Sequence, residues 1–304
     1  MIRFGLWPDN LKGAAVLMVA ALGFAGMISL IKLAGERLPV VEILFVRQLG
    51  MVAILVPALA RGFPGALVTA RPGLQALRVA LALVAMLCGF TAVVHMPLAD
   101  ATALGFAKSF FVTIFAVAVL GERVGAHRWS AVALGFVGVL VMMRPGSDGF
   151  TLYAVLAVVG AAAAGAVMVV IRLLTRTESG TTILAWQAIG VGVVMAGPAL
   201  WAWVAPTPRE WLLLGAIGAV SYVAQRLNIL AYRFGEASLL ASLDYVRLLY
   251  ATALGWWLFD SLPGTATWVG AGIIVLASVY TVYRERVRGR QLAAGPYGRG
   301  YTHP

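Results

Sequence analysis

Lys108, Asp244 and Arg247 stand in the middle of stretches that are otherwise apolar, and Arg47 and Arg226 stand inside two more. Polar neighbours accompany them: Trp186 and Gln187, Tyr222 and Gln225, and Tyr245 beside Asp244. A charge at the centre of a bilayer costs at least ~2.5 kcal/mol, so charges kept there mark a solute path. Lysine and arginine at such depth attract a carboxylate or phosphate, and a lone acid balances an amine. Four cations against one acid favour an anionic or zwitterionic organic solute, to which glutamine, tyrosine and tryptophan offer hydrogen bonds and ring faces. Asp244 and Arg247, three apart on one helix, could also neutralise each other as a structural pair.

The spacing of these residues carries an internal repeat. Ile31-Lys32-Leu33 returns as Ile171-Arg172-Leu173, an offset of 140 that also sets Arg47 opposite Gln187. Asp100-Ala101 returns as Glu236-Ala237, and that offset of 136 sets Lys108 opposite Asp244. Lys108 and Asp244 are therefore expected to face one central cavity and to interact there. Glu42 and Asp100 fall at helix starts nearer one interface, where they stabilise the helix dipole.

The elements that must carry these residues are membrane helices. The 304-residue chain is 62% hydrophobic and 12% charged, with mean hydropathy +0.92. A spanning helix needs about 20 apolar residues. Ten such segments fit, near 13–34, 40–60, 74–95, 98–120, 128–143, 152–173, 181–204, 210–231, 236–258 and 265–283. The expected fold is an all-α integral membrane protein of ten transmembrane helices in two inverted five-helix repeats, residues 1–146 and 147–284, with a disordered basic tail over 285–304. An odd number of spans per half inverts the second half, an architecture of secondary transporters. Most Lys and Arg fall in alternate loops and at the C-terminus, which places both termini in the cytoplasm. The first segment is too long for a signal-peptide core and is read as a spanning helix. Gly160 to Gly165, Gly23 with Gly26, Gly135 with Gly138 and Gly215 with Gly218 are read as close-packing positions.

Several functions are excluded. The net charge of +11 lies in membrane loops rather than on a nucleic-acid face. Cys88 is the only cysteine and the three histidines are scattered, so no metal or cofactor site is expected. Ser109 beside Lys108 lacks any nucleophile context; the chain is not read as an enzyme and has no catalytic residues.

Two motifs resemble a known family. Leu120-Gly121-Glu122-Arg123-Val124, Arg128-Trp129, Gly135-Phe136-Val137-Gly138-Val139-Leu140 and Arg144-Pro145-Gly146 resemble the helix-four end, basic turn and helix five of EamA-type members of the drug/metabolite transporter superfamily. Leu243-Asp244-Tyr245-Val246-Arg247-Leu248, running to Leu254 through Phe259, is similar to a helix-nine signature of one EamA branch, and Lys32-Leu33-Ala34 through Glu42, Phe45 and Arg47 also fits. The resemblance covers about residues 11 to 284 and implies ten helices in two five-helix repeats. It implies transport of amino acids, nucleosides, vitamins, sulfonium metabolites or other small solutes. Two departures stand out: Phe259-Asp260-Ser261 replaces the usual Gly-Glu pair, and no proline accompanies Lys108-Ser109, so helix four is expected to be straighter. The leading expectation is a secondary transporter of a small organic metabolite in a bacterial-type inner membrane, working by alternating access. Its partners are a small-molecule substrate and the lipid bilayer. The alternatives are a lipid-handling or assembly scaffold, and a channel, for which no ring of like charges is present.

Overall fold

The computed structural model describes residues 9–62, 67–121, 125–144, 151–174, 176–234 and 246–294. Every regular element among them is helical: α1 Asp9–Ala34, α2 Val40–Gly62, α3 Pro72–His95, α4 Leu98–Gly105, α5 Lys108–Leu120, α6 Ala126–Met143, α7 Leu152–Leu174, α8 Gly180–Trp201, α9 Pro208–Phe234, α10 Val246–Phe259 and α11 Thr265–Ala294. Among the described residues, six spans are long and apolar enough to cross a bilayer: Leu11–Ala34, Val40–Pro57, Pro72–His95, Leu98–Leu120, Leu152–Leu174 and Gly180–Trp201. Trp129–Met143, Val246–Phe259 and Thr265–Ala277 are shorter apolar helices. Leucine, valine, tryptophan and other large apolar side chains stand exposed along most helices, as expected where lipid replaces water.

The helices pair in a regular way. α1 lies along α9 and α3 along α7; α1 meets α10 and α5 meets α7; α2 meets α9 and α3 meets α8. α2 also pairs with α8, α6 with α11, and α4 with α10. Exchanging α1–α2–α3 with α7–α8–α9, α4 or α5 with α10, and α6 with α11 returns this same set of contacts.

Two polar ties join the helix ends. At one end, Glu42 of α2 accepts from the Val204 amide at 3.0 Å. Arg37 there donates to Ala205 O at 2.8 Å and to Glu210 Oε1 at 2.6 Å, and Glu210 keeps the guanidinium pKa above its ordinary value. At the other end, Glu178 accepts from Thr69 Oγ1 at 2.7 Å and from the Ala70 amide at 2.8 Å. α8 runs between the two ends, starting at Gly180 and finishing at Trp201.

Two expectations are corrected. The stretch from Leu98 to Leu120 is not a straighter helix: it breaks at Phe106-Ala107. The amides of Phe106, Ala107, Ser109 and Phe110 bond three residues back rather than four, a tightened turn that marks hinges within helices. No proline is needed. Gly105 weakens the helix by about 1 kcal/mol relative to alanine, and Phe106 and Ala107 are buried at 4% and 0% exposure, so packing decides the local geometry. The second correction concerns the tail. α11 continues past Arg284 to Ala294, because a helix already nucleated in the membrane propagates cheaply and Gln291-Leu292-Ala293-Ala294 are good helix formers. Residues 295–304 of that tail lie outside the described residues.

Glycines set the closest approaches. A Cβ on Gly138 would stand 2.8 Å from Gly270 O, and one on Gly270 would stand 2.6 Å from Gly138 O, so α6 and α11 cross backbone to backbone. A Cβ on Gly165 would stand 2.8 Å from Phe111 Cβ and 3.1 Å from Lys108 O, which seats α7 against the first turn of α5.

Candidate functional site

The break before Lys108 borders a space between α1, α3, α4, α5, α7, α8 and α10. The result is a cavity of about 350 Å³. Its wall is mostly apolar, with Met27, Met86, Met168, Phe90 and Phe106 among the larger side chains. Four polar side chains interrupt it: Thr102, Lys108, Gln187 and Arg247. Thr102 Oγ1 donates to Leu98 O at 2.7 Å and is used up within its own helix. Lys108, Gln187 and Arg247 are the other polar side chains of the described wall.

Each is delivered by a different element. Lys108 opens α5 directly after the tightened turn. Arg247 lies in the first turn of α10, its Cζ 4.5 Å from the Phe24 ring centroid on α1, which braces the guanidinium by cation–π attraction. Gln187 on α8 accepts from Arg78 Nη2 at 2.6 Å, and Arg78 Nη1 donates to Ile183 O at 2.8 Å.

Two arginines stand behind the wall. Arg47 is buried at 5% exposure and donates to Ser221 Oγ at 3.2 Å and Gln48 Oε1 at 3.3 Å. Its Cζ is 5.8 Å from the ring of the cavity-lining Phe90. Arg78 is buried at 3% exposure and reaches the cavity through Gln187. The hydrogen-bond partners of both arginines among the described residues are neutral groups. Two cations, Lys108 and Arg247, thus stand in the wall of a largely apolar chamber and two more, Arg47 and Arg78, stand behind it, and the described lining contains no carboxylate. Low-dielectric walls carrying one sign of charge concentrate counter-ions of the other sign.

The structure brings together Lys108, Arg247 and Gln187 at the cavity, with Arg47 one side chain away. It does not bring in Trp186, whose Nε1 donates to Leu67 O at 3.0 Å toward the α2–α3 connection. Tyr222 packs against the buried cluster of Met51, Leu55 and Ala188. Arg226 is exposed and stacks on Tyr222 at 6.0 Å. Gln225 is half-buried and is not in the cavity wall. Tyr222, Gln225 and Arg226 ride on α9, which packs on α1 and α2 rather than on α3 or α7. Asp244 and Tyr245, and with them the expected Lys108–Asp244 interaction, lie outside the described residues.

Arg78 was missed because basic residues near helix ends were read for topology. The signal was available: Gln75 and Arg78 are three apart within an apolar run, a polar pair on one helical face. Lys32 has a structural task instead. Its Nζ donates to Val93 O, Val94 O and Met96 O at 3.1, 3.3 and 2.5 Å, capping the end of α3. Among the described residues, no group of three or more His, Cys, Asp or Glu could hold a metal ion.

The chain has relatives among known proteins. The EamA-like transporter family model matches residues 11–144 and again 151–283. The chain belongs to the EamA-like transporter family. The chain is 31% identical to a riboflavin transporter of Brucella anthropi over 88% of its own length and 98% of the relative's. It is also 31% identical to the pseudopaline exporter CntI of Pseudomonas aeruginosa, over 89% and 96% of the two chains. A Rickettsia prowazekii S-adenosylmethionine uptake transporter is 28% identical over 84% and 87%. A solved crystal structure superposes with TM-score 0.64 at 16% identity, covering 92% of this chain and 99% of the other, and shows a shared fold alone.

Proposed function

We propose that this EamA-like protein is a secondary transporter of a small organic anion or zwitterion, working by alternating access in a bacterial-type inner membrane. In this reading ten helices form two inverted five-helix repeats, and both termini are cytoplasmic. The repeat reading is supported by the double family match and by the set of helix contacts that survives exchange of the two halves. The single observation that carries the substrate class is the cavity: a chamber of about 350 Å³ with Lys108 and Arg247 in its wall and Arg47 and Arg78 behind it.

The relatives are named for riboflavin, S-adenosylmethionine and pseudopaline, and for uptake as well as export. Those names bound the solute to small organic metabolites and leave direction to measurement. Methionine and phenylalanine in the wall suit a solute with an apolar or flat body and a charged end. Lys108 and Arg247 then take the oxyanion, and Gln187 a hydroxyl, amide or carbonyl.

The test is a thermal-shift screen of detergent-solubilised protein against vitamins, nucleosides, amino acids and organic acids, followed by counterflow in proteoliposomes. A ligand at ~100 times its Kd stabilises the fold by about 2.7 kcal/mol. Hits confined to organic anions and zwitterions, lost in Lys108→Met, are expected. Hits confined to cations or neutral lipids would overturn the substrate class, and flux without saturation or counterflow would indicate a channel.

A further inference from the structure

The seam between α3 and α8 carries more polarity than its packing uses. Gln75 is fully buried at 0% exposure, yet neither its amide oxygen nor its nitrogen has a hydrogen-bond partner among the described residues. Arg78, one turn further along the same face, leaves its Nε unpartnered. Gln48 of α2 leaves its Nε2 unpartnered as well; its Cβ approaches the position a Gly192 Cβ would take on α8 within 3.6 Å. The side chains around them are apolar, including Leu74, Val79, Ile183 and Val191. A bridging role from α3 to α8 accounts for the two bonds Arg78 makes. It leaves the Gln75 amide and the remaining guanidinium N–H without purpose, and each unmade buried hydrogen bond carries a penalty.

We propose that Gln75, Arg78 and Gln187 form a second anion-binding station on this seam, between the cavity and the end of the molecule where α3 and α8 begin. The inference rests on reading the cavity as an anion carrier. Arg78 lies six residues beyond Pro72, about 9 Å along α3 from that end. Gln187 belongs to both places, since it lines the cavity and accepts from Arg78. When the bundle rocks and Gln187 turns from Arg78, the guanidinium fork is freed for a carboxylate, sulfonate or phosphate. Gln75 Nε2 adds a donor to the same oxyanion. The solute steps from Lys108 and Arg247 to Arg78, so a charge never travels through the apolar seam unpartnered.

The test is thiol labelling in native membrane vesicles on a Cys88→Ala background, which removes the only cysteine. Gln75→Cys is the reporter, and Ala85→Cys, in the cavity wall, is the reference. The probes are the 2-sulfonatoethyl and 2-trimethylammonioethyl methanethiosulfonates, each rate normalised to a free thiol. Gln75→Cys should be modified although position 75 is buried in this state, with the sulfonate favoured about tenfold or more by the local positive field. That preference should vanish when Arg78→Gln is added. Anion preference at Ala85→Cys with a silent or charge-blind Gln75→Cys would overturn the station and leave the cavity reading standing. No anion preference at either position would overturn both. Replacing Gln75 removes two unpartnered polar atoms, so the variant should fold; should it not reach the membrane, Gln48→Cys decides in its place.

Discussion

Gly165→Ala tests the geometry that places Lys108. The added methyl would stand 2.8 Å from Phe111 Cβ, 3.0 Å from the Val112 amide nitrogen and 3.1 Å from Lys108 O. Carbon atoms rest at about 3.5–4.0 Å, so roughly 0.7 Å of overlap must be relieved, and two of the three obstacles are backbone. Overpacking of this kind costs about 1–3 kcal/mol. Alanine returns about 1 kcal/mol of helix propensity, leaving a net loss of about 0–2 kcal/mol. Gly272→Ala on α11 is the matched control, because nothing lies within 4 Å of its Cβ and only the propensity gain remains. The two variants should therefore differ by about 1–3 kcal/mol in detergent, with Gly165→Ala the shorter-lived at elevated temperature. Displacing α7 from α5 should also weaken binding of any ligand found in the screen, which Gly272→Ala should leave intact. Equal stability of the two variants, or a more stable Gly165→Ala, would refute the packing argument.

Other perturbations separate the site from its surroundings. Lys108→Met should weaken binding of an anionic ligand by about 10–150-fold, the value of a charged hydrogen bond of about 1.5–3 kcal/mol, and Lys108→Arg should restore most of it; a ligand titration by thermal shift reads both. Arg226→Gln should leave uptake unchanged and cost under about 1 kcal/mol, because its exposed stacking on Tyr222 is a weak contact; a transport defect would return α9 to the solute path. Lys32→Met should destabilise the fold by about 1–3 kcal/mol by stripping three carbonyls at the end of α3 of their donor, measured by inactivation half-life without ligand.

Six of the expected spans were legible among the described residues because apolar length is a one-dimensional property. The faces were not. In a water-soluble helix the polar side announces the surface, but here lipid and core are both apolar, so nothing in Tyr222, Gln225 and Arg226 says which way each points. Lys108, Arg247 and Gln187 lie at the cavity wall, and the sequence singles them out because a charge or amide deep in an apolar run needs a reason wherever it faces. Arg78 escaped because the same residue type near a helix end also signals topology. The break at Phe106-Ala107 was invisible for another cause: no proline marks it, and burial of neighbouring side chains fixes it. The 140-residue offset paired Arg47 with Gln187 in register, yet each finds its own partner. Arg47 turns to Ser221 and Gln48, while Gln187 turns to Arg78.

The ties at the two ends of α8 are made of unlike chemistry. One is ionic at its rim, with Arg37 and Glu210 close to water; the other sets a carboxylate, Glu178, against the neutral donors Thr69 and Ala70. Any rocking that parts one end must first undo the contact there. Dissolved salt screens an exposed ion pair, with a Debye length of about 8 Å at physiological strength, but barely touches a hydrogen bond to a hydroxyl or an amide. Ionic strength is thus a one-sided lever on this molecule: it loosens the Arg37 door and leaves the Glu178 door latched, so brine and fresh water would set different resting poses for the same chain.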